Sequence, residues 1–158
     1  MKASTDNHQP DTWKLRGGAD GLHVFNRTTG LNVLVNEIAV PFSLHSRAPR
    51  QVSIALTNRC DLACVHCYAP KSRDELRFDT AARWLDDLDE HGTLGIGFGG
   101  GEPTLYPEFV KLCQYAAHQT RLSVSFTTHG HHVDNDSRER VANLLRVRKW
   151  KEQNKDVN

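Results

Sequence analysis

Apolar and polar residues alternate with a period of two between Gly21 and Ile38, most clearly at Leu31, Val33 and Val35. A period of two is typical of a half-buried β-strand. The run Asn-Arg-Thr-Thr-Gly at 26–30 has the composition of a turn. The segment 21–38 is therefore predicted to form a β-hairpin, with a loose leader over 1–20 and a linker over 41–49.

From residue 51 onward, the pattern switches repeatedly between strand and helix. Residues 51–57, 94–98 and 121–128 have the short apolar or alternating runs that predict strands. Between and after them, apolar residues recur with helical spacing, which predicts three amphipathic helices. Asp79 or Thr80 is predicted to cap the first helix, and Pro107 to lie near the first turn of the second. The three apolar stripes are Ala81, Trp84, Leu85 and Leu88; Phe109, Leu112, Cys113 and Ala116; and Val141, Leu144 and Leu145.

This alternation predicts the fold class. Strands that alternate with helices form βαβ units with parallel pairing and right-handed crossovers. Three such units fit between residues 51 and 150, and a closed barrel of six or eight strands needs more chain. The fold is therefore predicted to be α/β, a partial (β/α) barrel that is open at its third strand. The predicted regions are a leader with the β-hairpin extension (1–50), the partial core (51–150) and a basic tail (151–158).

Composition narrows the class of protein. The 158 residues (17.8 kDa) are 38% hydrophobic and 25% charged, as in a globular protein, and no apolar run has the length of a membrane span. Residues 1–13 are polar and predict no secretory signal, so a cytoplasmic location with reduced thiols is expected. The net charge of +1 predicts neither a nucleic-acid nor a membrane partner. Residues 138–158 carry seven basic and three acidic side chains, which is typical of a solvated helix end.

Three of the four cysteines, Cys60, Cys64 and Cys67, fall within eight residues directly after the first predicted core strand. In a reducing compartment such a cluster indicates a metal or redox site. Three thiolates on one loop can hold an iron–sulfur cluster and leave one iron of a 4Fe–4S cluster without a protein ligand. A zinc site with His66 or a distant histidine as fourth ligand, a disulfide and an unliganded coincidence are the alternatives.

A glycine-rich turn, Gly99-Gly100-Gly101-Glu102-Pro103, follows the second core strand. By itself it fits an ordinary tight turn. In a parallel sheet, however, it emerges at the same edge as the cysteine loop, where α/β proteins bind their ligands. Glycine carbonyls and the Glu102 carboxylate could accept hydrogen bonds from an ammonium group there.

Together, Cys-x3-Cys-x2-Cys after one strand and Gly100-Gly101-Glu102-Pro103 after the next resemble the radical S-adenosylmethionine superfamily. The resemblance covers about residues 51–130, and the run from Cys60 to Tyr68 resembles its peptide- and cofactor-maturing, SPASM-like branch. It implies an enzyme with a 4Fe–4S cluster held by Cys60, Cys64 and Cys67. S-adenosylmethionine would chelate the fourth iron and be cleaved reductively to a 5′-deoxyadenosyl radical that abstracts hydrogen from a peptide or small-molecule substrate.

The resemblance also implies where the cofactor is held and which partners take part. Gly100, Gly101 and Glu102 would hold the amino group of S-adenosylmethionine. The backbone near His66 and Tyr68 would contact adenine, and Thr128 would contact the cofactor at the end of the third strand. An electron donor such as flavodoxin or ferredoxin would reduce the cluster, and a partner chain could complete the barrel.

The chain departs from the family pattern in two ways. The motif after the third strand is Thr128-His129-Gly130, with His129 in place of the asparagine of the usual Thr-Asn-Gly. Strands four to six of the family's barrel are absent. Two other functions therefore stay open: a truncated, catalytically incompetent cluster-binding fragment that acts with a partner, and a zinc-stabilised binding module. Cys113 is expected to be a small core residue. His129, His131 and His132 are expected to be solvated rather than metal ligands.

Overall fold

The computed structural model describes residues 12–132, which form two three-stranded sheets and two α-helices. The first sheet contains β1 (Trp13–Gly18), β2 (Gly21–Asn26) and β3 (Asn32–Val35), all antiparallel. The second contains β4 (Gln51–Thr57), β5 (Gly95–Gly100) and β6 (Ser123–Phe126), all parallel. Helix α1 (Phe78–Glu90) connects β4 to β5, and α2 (Phe109–Gln119) connects β5 to β6.

The predicted hairpin is present as β2 and β3, and its turn forms where the sequence placed it. The Asn26 side chain accepts hydrogen bonds from the backbone N–H groups of Thr28 and Thr29 at 3.0 and 2.9 Å, as in an Asx turn. The loose leader predicted over 1–20 is wrong for β1. That strand has no apolar stripe facing the core, because its buried side chain is Lys14.

Polar contacts hold the first sheet against the end of the core where the parallel strands begin. The Lys14 ammonium donates to the Asp89 carboxylate and to the Thr93 carbonyl, just ahead of β5. The Arg27 guanidinium donates to the Thr120 carbonyl at 2.5 Å, ahead of β6. The sheet therefore covers the edge opposite to the loops that follow the parallel strands. The predicted linker contains a short 3₁₀ helix, Phe42–Leu44.

The parallel sheet and both helices match the predicted βαβ order, with shifted ends. Helix α1 begins at Phe78 with Arg77 as its N-cap, ahead of Asp79 and Thr80. Pro107 precedes α2, whose N-cap is Glu108. Strand β5 continues to Gly100 because its last glycines still pair with β4. Neither described helix is long and apolar enough to cross a membrane.

One apolar core lies between the parallel sheet and the two helices. The rings of Phe78 and Tyr115 contact each other edge to face where the helices meet, with ring centroids 6.0 Å apart. Trp84 is an exception to the predicted stripe, since 49% of it is exposed. Cys113 is fully buried, as expected. The core residues are Ile54, Leu56, Ala81, Leu85, Ile96, Phe98, Tyr106, Phe109, Leu112, Cys113, Ala116 and Leu122.

Among residues 12–132 no strand other than β5 pairs with β4 or β6. The outer edge of β4 is partly covered at its carboxyl end, where Thr57 forms an isolated bridge with Glu75 and the Leu56 carbonyl accepts from Leu76 N–H at 2.8 Å. This is the arrangement of a partial (β/α) barrel with an N-terminal β-extension. The predicted third helix, with Val141, Leu144 and Leu145, and the basic tail lie outside the described residues.

Candidate functional site

Three loops meet at the carboxyl edge of the parallel sheet. The first, the cysteine loop, follows β4; the second, the glycine turn, follows β5; and the third, which contains Thr128 and His129, follows β6. Two backbone hydrogen bonds join the first to the second: Gly101 N–H donates to the Thr57 carbonyl at 2.7 Å and Glu102 N–H to the Arg59 carbonyl at 2.8 Å. Side chains join the third loop to the other two, as described below. The parallel register thus places the cysteine loop directly beside the glycine turn, as the sequence predicted.

The glycines of the turn are required by this close approach. Gly100 has a φ of +116°, and a Cβ there would lie 2.4 Å from the Thr57 carbonyl oxygen. A Cβ on Gly101 would lie 2.2 Å from the Arg59 carbonyl oxygen. No side chain fits at either distance, so only glycine lets β5 end this close to the start of the cysteine loop. The turn therefore has a packing reason for its glycines that does not depend on a ligand.

The Glu102 carboxylate is 1% exposed and joins the second loop to the third. Its Oε1 accepts hydrogen bonds from Thr104 N–H (3.0 Å), Thr104 Oγ1 (2.6 Å) and Thr128 Oγ1 (2.8 Å). Its Oε2 accepts one from His129 N–H at 3.0 Å. A carboxylate has about four acceptor positions. Protein donors saturate Oε1, whereas Oε2 accepts one hydrogen bond and has His129 Nε2 3.3 Å away. An ammonium group could therefore bind this carboxylate only at Oε2.

The ionisation of Glu102 follows from these bonds. Burial acts to raise the pKa of this carboxyl group, and the hydrogen bonds from Thr104, His129 and Thr128 outweigh it, so the pKa is lowered overall. The group is therefore held as the anion. A buried anion with this many fixed donors is a rigid connection between the two loops.

All four cysteines are free thiols in the structure. Cys60 is half-buried, and Cys64 and Cys67 are exposed. Two of the sulfurs each have a hydrogen-bond donor nearby. Leu62 N–H lies 3.5 Å from Cys60 Sγ, and Lys71 Nζ lies 3.3 Å from Cys67 Sγ.

The exposed thiol of Cys67 is poised to ionise. A hydrogen bond from the Ala69 backbone and then one from Lys71 lower the pKa of Cys67. The thiolate is the form of cysteine that binds metals. The lowered pKa therefore favours the thiolate form of Cys67.

An open cavity of about 350 Å³ adjoins the first loop, beside Cys60 and Asp61. Three basic side chains line it: Arg59, Lys71 and Arg73. Arg59 is paired with Glu75 at 2.7 Å, so the positive charge beside the sulfur donors comes mainly from Lys71 and Arg73. This charge suits an anionic group, such as a thiolate-bound cluster or a carboxylate.

Two histidines of the third loop, His129 and His132, contact the cysteine loop. His131 and His132 are exposed, as expected, whereas the His129 side chain is only 16% exposed, which corrects the expectation for that residue. His129 Nε2 lies 2.9 Å from Asp61 Oδ1, and His132 Nε2 lies 2.9 Å from Asp61 Oδ2. The hydrogen bond from His129 is the largest cause of a lowered pKa at Asp61. His131 contributes ring contact with His129, with centroids 4.6 Å apart.

Asp61 directly follows Cys60, but no local pattern of the sequence singled it out. The one available signal was His129, which replaces the asparagine of the Thr-Asn-Gly pattern with a longer side chain. Cys60 Sγ, an Asp61 oxygen and a His129 nitrogen lie within 4.8 Å of one another. The third loop therefore lies against the first cysteine ligand position.

The other predicted positions are placed as follows. Thr128 contacts Glu102, as described above. His66 is exposed, and Tyr68 is 99% exposed, on the same loop as the cysteines. Their proximity to adenine stays a prediction. Cys113 belongs to the core beneath the sheet and takes no part in this site.

Comparison with known proteins gives relatives with named activities. Residues 54–150 match the family model described as the Radical SAM superfamily. Mycofactocin maturase MftC of Mycobacterium ulcerans is 34% identical over 99 residues, which are 60% of this chain and 26% of that protein. Fe-coproporphyrin III synthase of Methanosarcina barkeri is 35% identical over 85 residues, 51% of this chain and 21% of that protein. The chain thus spans about a quarter of the length of the curated relatives it matches.

The fold has a solved counterpart in SuiB of Streptococcus suis, whose structures contain the precursor peptide SuiA or S-adenosylmethionine. Both superpose with a TM-score of 0.64 over 85% of this chain, at 16% sequence identity, and cover 45% and 44% of SuiB. This likeness shows the shared fold, including more of the chain than the family model covers. Since that model covers more than half of the 158 residues, the chain belongs to the radical S-adenosylmethionine superfamily.

Proposed function

We propose that this chain is the cofactor-binding core of a radical S-adenosylmethionine enzyme. In this proposal Cys60, Cys64 and Cys67 ligate three irons of a 4Fe–4S cluster, and S-adenosylmethionine binds the fourth. The observation that carries the proposal is the direct hydrogen bonding of the cysteine loop to the Gly-Gly-Glu turn at one edge of a parallel sheet. That edge is where α/β proteins bind their ligands.

The donor set of the first loop fits an iron–sulfur cluster. Three free thiols on one exposed loop are soft ligands of the kind that such clusters require. N–H donors at Leu62 and Lys71 lie within reach of two of the sulfurs. Hydrogen bonds of this kind stabilise thiolate charge and help to set the reduction potential of a cluster.

The second and third loops would orient S-adenosylmethionine. We assign the amino group to Gly100, Gly101 and Glu102, through backbone carbonyl oxygens of the glycine turn and Glu102 Oε2, which accepts a single hydrogen bond. His66 and Tyr68 lie on the cysteine loop, from which their backbone would contact adenine. A cluster held by the three cysteines would supply one electron for cleavage of the bond between the sulfonium and the 5′ carbon, which would release methionine and provide a 5′-deoxyadenosyl radical for hydrogen abstraction from the substrate.

We further propose that the N-terminal leader and β-extension (1–50) form a region distinct from the core (51–150). We also propose a peptide as the substrate. The names of MftC, a maturase, and of the SuiB complex with a precursor peptide support a peptide. The name of Fe-coproporphyrin III synthase favours a small molecule as the second candidate. Flavodoxin or ferredoxin would supply the electron in the cytoplasm, and a partner chain could complete the barrel.

Anaerobic reconstitution with iron and sulfide tests cluster binding. The full chain is expected to take up about four irons and to become coloured. Cys64→Ala should lose most of that iron, whereas Cys113→Ala, which removes a buried thiol outside the site, should retain it. A colourless protein that holds one zinc would contradict the proposal and favour the zinc-stabilised module.

Incubation of the reconstituted chain with S-adenosylmethionine and dithionite tests catalysis. Release of 5′-deoxyadenosine, measured by chromatography, is the expected result. Its absence from a fully loaded cluster would instead favour the fragment that binds a cluster and acts through a partner.

A further inference from the structure

Asp61 is the residue through which the cysteine loop contacts the loop after β6. Its two carboxylate oxygens each lie 2.9 Å from an imidazole nitrogen, Oδ1 from His129 and Oδ2 from His132. Asp61 adjoins Cys60 in the chain, so a restraint on its side chain also restrains the first cysteine ligand.

The His129 ring lies between the other two loops. Its Nδ1 is 3.1 Å from His131 N–H, and its Nε2 is 2.9 Å from Asp61 Oδ1 and 3.3 Å from Glu102 Oε2. The backbone N–H of His129 donates to Glu102 Oε2 at 3.0 Å. One residue of the third loop thus binds a carboxylate of each of the other two loops.

Directly before Cys60, the Arg59 carbonyl accepts a hydrogen bond from Glu102 N–H at 2.8 Å, whereas the hydrogen bonds of residues 62–70 stay within the cysteine loop in the part of the chain that the structure describes. Cys64 and Cys67 are exposed, and the hydrogen bonds at their positions stay within the loop or come from nearby Lys71. Of the side chains at 60–70, only that of Asp61 is hydrogen-bonded to a residue of another strand's loop in the part of the chain that the structure describes.

We propose that Asp61, held by His129 and His132, is a positioning residue that fixes the cysteine loop relative to the Gly-Gly-Glu turn. The inference rests on the proposed function, because it gives the cluster and S-adenosylmethionine a fixed separation. Asp61 touches neither the cofactor nor the substrate in this account and acts through the position of Cys60. The role depends on His129, at a position where the Thr-Asn-Gly pattern has asparagine.

The coupling can be measured without a cluster. A double-mutant cycle on the cluster-free full chain compares Asp61→Ala, His129→Ala and the double variant by urea unfolding. The His129→Ala substitution is expected to shift the unfolding midpoint less when Asp61 is already alanine. Additive shifts would overturn the proposed contact.

The positioning role is tested on the reconstituted full chain by electron paramagnetic resonance of the reduced cluster. S-adenosylmethionine is titrated while the change in the spectrum is followed, and iron content is measured in parallel. Loss of a hydrogen-bonded anion should raise the half-saturating concentration about tenfold in Asp61→Ala. Asp61→Asn, whose amide oxygen still accepts one N–H, should fall between Asp61→Ala and the unmodified chain.

The matched control is His118→Ala, which removes an exposed imidazole from the last turn of α2. It should leave the half-saturating concentration unchanged. Equal half-saturation in Asp61→Ala, Asp61→Asn and the unmodified chain, at equal iron content, would overturn the proposal. Failure of the unmodified chain to take up iron would count against the proposed function alone, because the coupling in the cluster-free chain is measured separately.

Discussion

Glu102 has the most demanding environment of any carboxylate described above, since it is buried and accepts four hydrogen bonds. Glu102→Gln replaces one acceptor oxygen by an NH₂ group that faces donors. We expect a loss of about 1–3 kcal/mol in the free energy of unfolding, measured by urea titration. Glu108→Gln, at an exposed ion pair with Lys111, is the matched control and should change it by less than about 0.5 kcal/mol.

The four cysteines should differ in reactivity in the cluster-free protein. Burial raises the pKa of the Cys113 thiol to about 12, whereas Cys64 and Cys67 are exposed on the loop. Iodoacetamide at neutral pH should therefore modify the loop thiols and spare Cys113, as read by peptide mass spectrometry. In urea all four should react. Modification of Cys113 in the native protein at the rate of Cys64 would contradict the packing of α2.

At the scale of elements, Lys14 determines whether β1 stays attached to the core. It is 3% exposed and lies between the Asp89 carboxylate and the Thr93 carbonyl. Lys14→Ala leaves both acceptors without this donor, so we expect a loss of about 3 kcal/mol in the free energy of unfolding. Faster amide exchange in β1 and β2, measured by mass spectrometry, should accompany it.

Arg77→Ala removes an exposed cation at the start of α1 and serves as the control for Lys14→Ala. Its effect should be less than about 0.5 kcal/mol. If both variants unfold at the same urea concentration as the unmodified chain, the first sheet does not depend on Lys14 for its attachment.

The elements that the sequence predicted well are those whose packing has a simple period. The stripe Phe109, Leu112, Cys113 and Ala116 has helical spacing, and all four residues are buried. Strand β1 was missed because it is attached through Lys14 rather than through apolar residues. Trp84 has the same helical spacing but lies at the margin of the core. Spacing predicts which face of a helix is apolar, but it does not predict how far the sheet extends beneath that face.

The cysteines of the candidate site could be selected from the sequence, whereas the contacts that join their loop to the other loops could not. Cys60, Cys64 and Cys67 have a diagnostic spacing within one loop. The contact of Asp61 with His129 joins positions 68 residues apart, and no local pattern encodes it. Likewise, Gly100 and Gly101 were interpreted as room for a ligand, whereas their closest neighbours are backbone atoms of Thr57 and Arg59.

For the whole molecule, acidic pH should weaken the fold and the loop connections together. Asp20, Asp61 and Glu102 all have a lowered pKa in the folded chain. The folded state therefore binds protons less readily than the unfolded state, so these groups stabilise the fold above about pH 4.5. That stabilisation is lost as the pH falls through the lowered values. The urea midpoint should drop from about pH 5 to about pH 3, and less steeply in Asp61→Asn.

Three cysteines are proposed to hold a 4Fe–4S cluster and to leave one iron for S-adenosylmethionine. Mössbauer spectroscopy of the full chain, reconstituted with isotopically enriched iron, measures this most directly because it distinguishes individual irons. Addition of S-adenosylmethionine should change the parameters of one iron of the four and leave the other three as they were. A spectrum in which S-adenosylmethionine alters none of the irons would contradict the account.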